Sequence, residues 1–113
     1  RRVLVVEDDA VQLDSLRKLL ASREVETVGA QSAAECLEQL KATKFDCMVL
    51  DLSLPDVSGF DLLERLSLDE TYAFPPVIVY TGRDMAPDEE LRLRRYSKSI
   101  IIKGAKSPER RLD

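Results

Sequence analysis

Four apolar residues lead directly into three acidic ones in the segment VLVVEDD, residues 3–9. A short, continuous and β-branched run of this kind is typical of a strand that is buried on both faces of a parallel sheet. The same pattern recurs at Cys47–Leu50, Val77–Tyr80 and Ile100–Ile102. A fifth run, Val25–Ala30, is half polar, as an edge strand would be. The sequence therefore predicts five strands of one parallel sheet.

Helical periodicity separates these strands. Leucines recur at spacings of three and four between residues 10 and 22, and Asp9 stands where it can cap that helix. A second helix opens at Ser32, and a third follows Ser58. The fourth starts at Pro87, a residue suited to the first helical turn. Alternating strands and helices with right-handed crossovers predict an α/β fold, a doubly wound five-stranded parallel sheet.

Composition excludes several classes of protein. The 113 residues include 17 Lys or Arg and 21 Asp or Glu, and a net charge of −4 argues against a nucleic-acid partner. The absence of histidine excludes Ser–His and Cys–His nucleophile pairs and any phospho-histidine in these residues. Two cysteines cannot build a disulfide framework, and no apolar run is long enough for a membrane span. We expect a single cytoplasmic domain over residues 1–113, excised from a longer protein.

Reactive side chains follow the four buried strands. Glu7 and Asp8 follow the first, Asp51 the third, Thr81 the fourth and Lys103 the last. In a parallel sheet these strand ends lie on one edge, where ligands bind. If the strands have the flavodoxin-like order 2-1-3-4-5, the first and third strands are neighbours, and Glu7 and Asp8 face Asp51. Converging carboxylates repel one another, and a hard cation such as Mg²⁺ relieves this repulsion. The carboxylate of Asp51 can attack phosphorus, while Lys103 and Thr81 hold phosphoryl oxygens.

The chain resembles the receiver domain of bacterial two-component response regulators. Four segments carry the resemblance over nearly the whole chain: VLVVEDD (3–9), VLDLSLPDVSG (49–59), VIVYTG (77–82) and IIIKG (100–104). The second segment contains the pattern D-x-x-L-P-x-x-x-G. The resemblance implies that Asp51 is the phospho-acceptor and that Glu7 and Asp8 form an acidic Mg²⁺ pocket.

The resemblance also implies the remaining roles. The backbone carbonyl of Ser53 is a further metal ligand, Thr81 is the switch hydroxyl, and Lys103 contacts the phosphate. The implied partner is a phospho-histidine donor, a histidine kinase or a phosphotransfer domain, in the same parent chain or in another protein. The domain would catalyse its own phosphorylation and dephosphorylation without being an independent enzyme. Direct membrane contact is not expected, although the parent chain could be anchored, and weak homodimerisation is left open.

Two positions depart from the family pattern. Gly104 stands where a proline usually follows the lysine, and Ile100 replaces the switch aromatic. The tail of residues 99–113 is most similar to receivers embedded in hybrid sensor histidine kinases. In it Ser107-Pro108-Glu109 only begins a fifth helix, so we expect that helix to be largely missing.

Two alternative functions belong to other classes of protein. The departures leave room for a non-phosphorylated interaction domain that keeps the receiver fold, but the intact acidic pocket weighs against it. An aspartate-nucleophile phosphatase would carry an acidic residue two positions after Asp51, where this chain has Ser53. The sequence therefore favours the phospho-acceptor interpretation.

Overall fold

A computed structural model describes residues 1–69, 71, 74–82, 85–97 and 99–102. The strands are Arg2–Val6 (β1), Glu26–Ala30 (β2), Cys47–Leu50 (β3), Val77–Thr81 (β4) and Ser99–Ile102 (β5). The helices are Ala10–Ala21 (α1), Ala33–Ala42 (α2), Gly59–Leu68 (α3) and Pro87–Leu93 (α4). All neighbouring strands pair in parallel, in the order β2-β1-β3-β4-β5. The predicted α/β fold and strand order are confirmed.

Helix starts follow the local sequence signals. The side chains of Asp9, Ser32 and Ser58 accept hydrogen bonds from backbone N–H groups in the first turns of α1, α2 and α3. These bonds satisfy donors that have no partner within the helix. The fourth helix begins at Pro87, as its fixed φ favours. Within the described ranges, no helix combines the length and apolar character that crossing a membrane requires.

Some predictions concern residues that the structure does not describe. Lys103 and Gly104 lie outside the described residues, and so does the start expected for a fifth helix at 107–109. Their roles stay predictions.

The main core lies between one face of the sheet and helices α2, α3 and α4. Alternate strand residues point into it, because successive side chains of a strand face opposite sides. The fully buried strand side chains of this core are Leu4, Val6, Ala30, Met48, Leu50, Val77 and Val79. They pack with buried leucines of the three helices, namely Leu40, Leu62, Leu63, Leu66 and Leu93. This core fixes the strand ends on which the site is built.

The opposite face of the sheet is less completely covered. Val3 and Val5 of β1 are buried there, but Ile78 of β4 is only half-buried and Ile101 of β5 is 47% exposed. The expectation that all four apolar runs are buried on both faces is therefore wrong beyond β1. Among the described helices, α1 alone covers this face. A groove of about 230 Å³ remains, lined by Leu16, Leu19, Leu20, Val49, Ile78, Tyr80 and Ile101.

The two cysteines differ in accessibility, and neither forms a disulfide. Cys36 is buried with its Sγ 3.7 Å from the Sδ of Met48, and burial raises the pKa of its thiol to about 12. Cys47 is half-buried, and burial also raises its pKa. We expect iodoacetamide at about pH 8 to alkylate Cys47 about tenfold faster than Cys36, because only thiolates react. Mass spectrometry of timed digests measures both rates, and equal rates in the folded protein would contradict this assignment.

Candidate functional site

The first part of the site follows β1 directly. The backbone N–H of Glu7 donates to the carbonyl of Ala30 (2.9 Å), which extends the β1–β2 pairing by one residue. The Glu7 side chain is buried, whereas Asp8 is exposed. Asp9 serves the helix instead, because its carboxylate accepts from Val11 N (2.9 Å). Asp9 is therefore the cap of α1, as the sequence predicts.

The second part follows β3. The backbone N–H of Asp51 donates to the carbonyl of Val6 (3.0 Å), so the residues that follow β1 and β3 lie side by side. Asp51 is 7% exposed, and its Oδ1 accepts a hydrogen bond from Ser53 N (3.1 Å). This bond holds the carboxylate and the start of the next loop in a fixed relation.

Three carboxylates meet at this edge of the sheet. One carboxylate oxygen from each of Glu7, Asp8 and Asp51 lies within 4.8 Å of the others. Two of these three side chains are buried, so little water screens their mutual repulsion. A hard divalent cation with a preference for carboxylate oxygens matches this donor set. The predicted convergence of the three acids is therefore what the fold produces.

Thr81 and Ser53 are the other predicted site residues that the structure describes. Thr81 is the last residue of β4 and is fully buried at the same edge of the sheet. Its backbone pairs with Ile102, the last residue of β5, so Lys103 directly follows this edge in the chain. Ser53 is exposed in the loop after Asp51. Ile100, at the position of the family's switch aromatic, is half-buried against the main core.

One site-adjacent residue was missed by the sequence reasoning. The exposed carboxylate of Asp56 accepts from Ala33 N (2.9 Å), Ala34 N (3.0 Å) and Val57 N (3.0 Å). It thereby joins the loop after β3 to the first turn of α2. Asp56 and Ala33 are 23 residues apart, and no sequence pattern relates them. Only the packed fold brings this pair together.

The hydrogen bonds of Asp56 should make the stability of the fold depend on pH in the acidic range. The backbone N–H of Ala33, aided by those of Ala34 and Val57, lowers the pKa of Asp56 from its ordinary value of 3.8. A lowered folded-state pKa adds stability above the unfolded value, and this stability is lost as the pH falls through the folded pKa. The urea midpoint of the wild-type chain should fall between about pH 6 and about pH 2, in part because this stability is lost. We expect the fall to be smaller in Asp56→Asn. Identical pH profiles for both proteins would show that these bonds do not favour the ionised form.

Comparison with known proteins assigns the chain to a family. Residues 3–109 match the family of response regulator receiver domains. The chain belongs to the response regulator receiver family. Family membership implies phosphorylation at an aspartate and a phosphodonor partner such as a histidine kinase, and receiver domains typically bind Mg²⁺ at an acidic pocket.

Individual relatives agree with this receiver assignment. The polar-differentiation response regulator DivK of Brucella ovis is 33% identical over 95 residues, which are 84% of this chain and 76% of DivK. Among solved structures, a receiver domain from Methanoculleus marisnigri superposes with a TM-score of 0.84 at 29% identity, covering 96% of this chain and 88% of that one. The non-phosphorylated HemR receiver domain from Leptospira biflexa gives 0.80 at 31% identity, covering 96% and 86%.

A more distant structure shares the receiver fold. TrrA from Thermotoga maritima, solved in complex with Mg²⁺–BeF, has a TM-score of 0.80 at 19% identity, covering 97% of this chain and 95% of TrrA. At this identity the likeness concerns the fold alone.

Proposed function

We propose that this receiver domain accepts a phosphoryl group on Asp51 from a phospho-histidine, in a Mg²⁺-dependent reaction that switches its surface. The proposal treats residues 1–113 as one phospho-acceptor module of a phosphorelay. The observation that carries it is the meeting of Glu7, Asp8 and Asp51 within 4.8 Å at the carboxyl edge of the sheet. A turn or a helix cap does not require three acids to converge in this way.

The three carboxylates and the backbone carbonyl of Ser53 would hold Mg²⁺. The donor set fits this ion, because it offers hard oxygens and leaves room for water and phosphate ligands. When bound, the ion supplies positive charge that offsets the charge of the phosphoryl oxygens.

Asp51 would act as the nucleophile. One of its carboxylate oxygens attacks phosphorus, the P–N bond to the donor histidine breaks, and its electron pair leaves with the imidazole. The products are an acyl phosphate on Asp51 and a free histidine on the donor. The hydroxyl of Thr81 and the ammonium of Lys103 would stabilise phosphoryl oxygens, and such positioning and charge stabilisation supply most of the catalysis in phosphoryl transfer.

The donor would lie on another domain or protein. None of the 113 residues is histidine, so this part of the chain cannot carry a phospho-histidine. A histidine kinase or a histidine phosphotransfer domain has the required chemistry. We place both the donor and this domain in the cytoplasm.

Phosphorylation would act on the loops around Asp51 and on α4. The phosphoryl group carries a charge of about −1.5 to −2 where the carboxylate carried −1. We expect this added charge to reorient Thr81 and the loops after β3 and β4. Within the described residues, the following helix α4 buries one side chain, Leu93. The guanidinium of Arg92 lies 5.0 Å from the Phe60 ring centroid and 3.6 Å from a carboxylate oxygen of Glu64. Because a helix with one buried side chain is weakly anchored, we expect it to shift when the free energy of the site changes.

Acetyl phosphate tests the proposal without a partner protein. Wild-type chain incubated with acetyl phosphate and Mg²⁺ should gain the mass of one phosphoryl group, and EDTA should prevent the gain. Beryllofluoride with Mg²⁺ should shift amide resonances near β3 and β4. A chain with no mass gain, no such shift and no Mg²⁺ binding would overturn the proposal and favour a non-phosphorylated interaction domain.

A further inference from the structure

We propose that Asp56 is a positioning residue for the cation site: it holds the loop after Asp51 against α2 and so keeps the ligands of that loop aligned with those after β1. The inference rests on the proposed function, because it concerns the same cation. It adds a residue that touches neither the cation nor the phosphoryl group.

The loop between Asp51 and Ser58 contains no helix or strand, so other contacts must fix its path. Its start is tied by the bond from Ser53 N to Asp51 Oδ1 (3.1 Å), and its end by the bond from Gly59 N to the carbonyl of Leu52 (3.0 Å). Asp56 supplies the tie between these points. The N–H of Ser53 is held by Asp51, but its backbone carbonyl, the proposed ligand, lies on the side of Ser53 that leads to Asp56. We therefore expect release of Asp56 to loosen the position of this carbonyl.

The Asp56 contact uses both carboxylate oxygens. Oδ1 accepts from Ala33 N and Val57 N, whereas Oδ2 accepts from Ala34 N. Two adjacent helix N–H groups therefore each bond a different oxygen of one carboxylate, which fixes its orientation as well as its distance. Asparagine has the same shape, but its side chain offers one oxygen acceptor and one NH₂ group. In place of the second oxygen, this NH₂ group would face a backbone N–H, and two donors cannot hydrogen-bond to each other.

The segment that Asp56 binds also contacts the other half of the site. The side-chain nitrogen of Gln31 lies 3.4 Å from the carbonyl of Asp8, and the backbone N–H of Gln31 donates to Glu35 Oε1 (2.8 Å). Residues 31–34 thus link the loop that carries Asp8 to the loop that carries Ser53. The loops after β1 and β3 are therefore connected by these hydrogen bonds to residues 31–34 as well as by the β1–β3 pairing of the sheet.

Mg²⁺ titration by calorimetry on the full chain tests this role. We expect Asp56→Asn to weaken Mg²⁺ binding by about tenfold, the lower range for residues that orient metal ligands. Asp69→Asn is the matched control: Asp69 also accepts from a backbone N–H, that of Thr71 (2.9 Å), but it follows the carboxyl end of α3. Both variants lose one negative charge. Salt at about 0.5 M NaCl screens the effect of the lost charge on Mg²⁺ binding. A difference in Mg²⁺ affinity between the two variants that persists at this salt concentration therefore reflects the positioning of the ligands.

The outcomes separate the two proposals. A wild-type chain that binds no Mg²⁺ overturns the proposed function, and the inference with it. A wild-type chain that binds Mg²⁺ while Asp56→Asn and Asp69→Asn bind equally well overturns the inference alone. Amide NMR spectra test whether Asp56→Asn is folded. If it is not, Gln31→Ala decides: weaker Mg²⁺ binding than in the wild-type chain supports the link through residues 31–34, and unchanged affinity contradicts it.

Discussion

Replacing Asp51 with asparagine is expected to slow phosphoryl uptake from acetyl phosphate by at least about 10³-fold, because an amide oxygen is a far poorer nucleophile than a carboxylate. Asparagine keeps the size of this buried side chain and an oxygen that can accept from Ser53 N. The loss should therefore reflect chemistry and not unfolding. Intact-protein mass spectrometry at timed intervals measures the rate.

Asp8→Asn provides the informative contrast. This variant loses one of the three converging carboxylates but retains the nucleophile. Its rate should fall at low Mg²⁺ and recover as Mg²⁺ is raised, whereas no concentration should rescue Asp51→Asn. Uptake by Asp51→Asn at the wild-type rate would mean that the phosphoryl group is accepted elsewhere.

The largest effect on stability is expected at Gly59, the first residue of α3. A Cβ built there would lie 2.7 Å from Leu52 Cδ2 and 2.8 Å from Leu52 Cα. The second contact is with backbone, and Leu52 is itself buried, so a rotamer change cannot relieve the overlap. We expect Gly59→Ala to lower the free energy of unfolding by about 2–3 kcal/mol, the usual cost of overpacking. Thermal unfolding should show a Tm lower by about 10 °C.

Gly29 offers a matched control within the sheet. A Cβ at Gly29 would meet Leu13 Cδ2 at 3.0 Å, and that atom is the far end of a flexible side chain. Gly29→Ala should therefore cost less than about 1 kcal/mol. Equal losses in the two variants would show that the approach of α3 to Leu52 is not what requires a glycine.

The sequence predicts the sheet and its acidic edge because both follow from local pattern and general topology. The run Val3–Val6 is fully buried, as its composition indicates, and the half-polar β2 is an edge strand. In the order β2-β1-β3-β4-β5, β1 lies beside β3, and this brings the acids that follow the two strands together.

Two features could not be predicted from the sequence. The contact of Asp56 with α2 joins residues that are distant in sequence and have no shared pattern. The exposure of Ile101 depends on which helices cover each face of the sheet, and a continuous apolar run carries no information about that. Both depend on how the elements pack and not on any one segment.

The meeting of three carboxylates also links folding to the ionic composition of the solution. The folded chain holds Glu7, Asp8 and Asp51 within 4.8 Å, whereas an unfolded chain spreads them over more than forty residues of sequence. A dication that binds only the folded arrangement raises the free energy of unfolding by about 2.7 kcal/mol at 100 times its Kd. Under the proposed function, the acidic edge makes the concentration of free dication a thermodynamic variable of the fold itself.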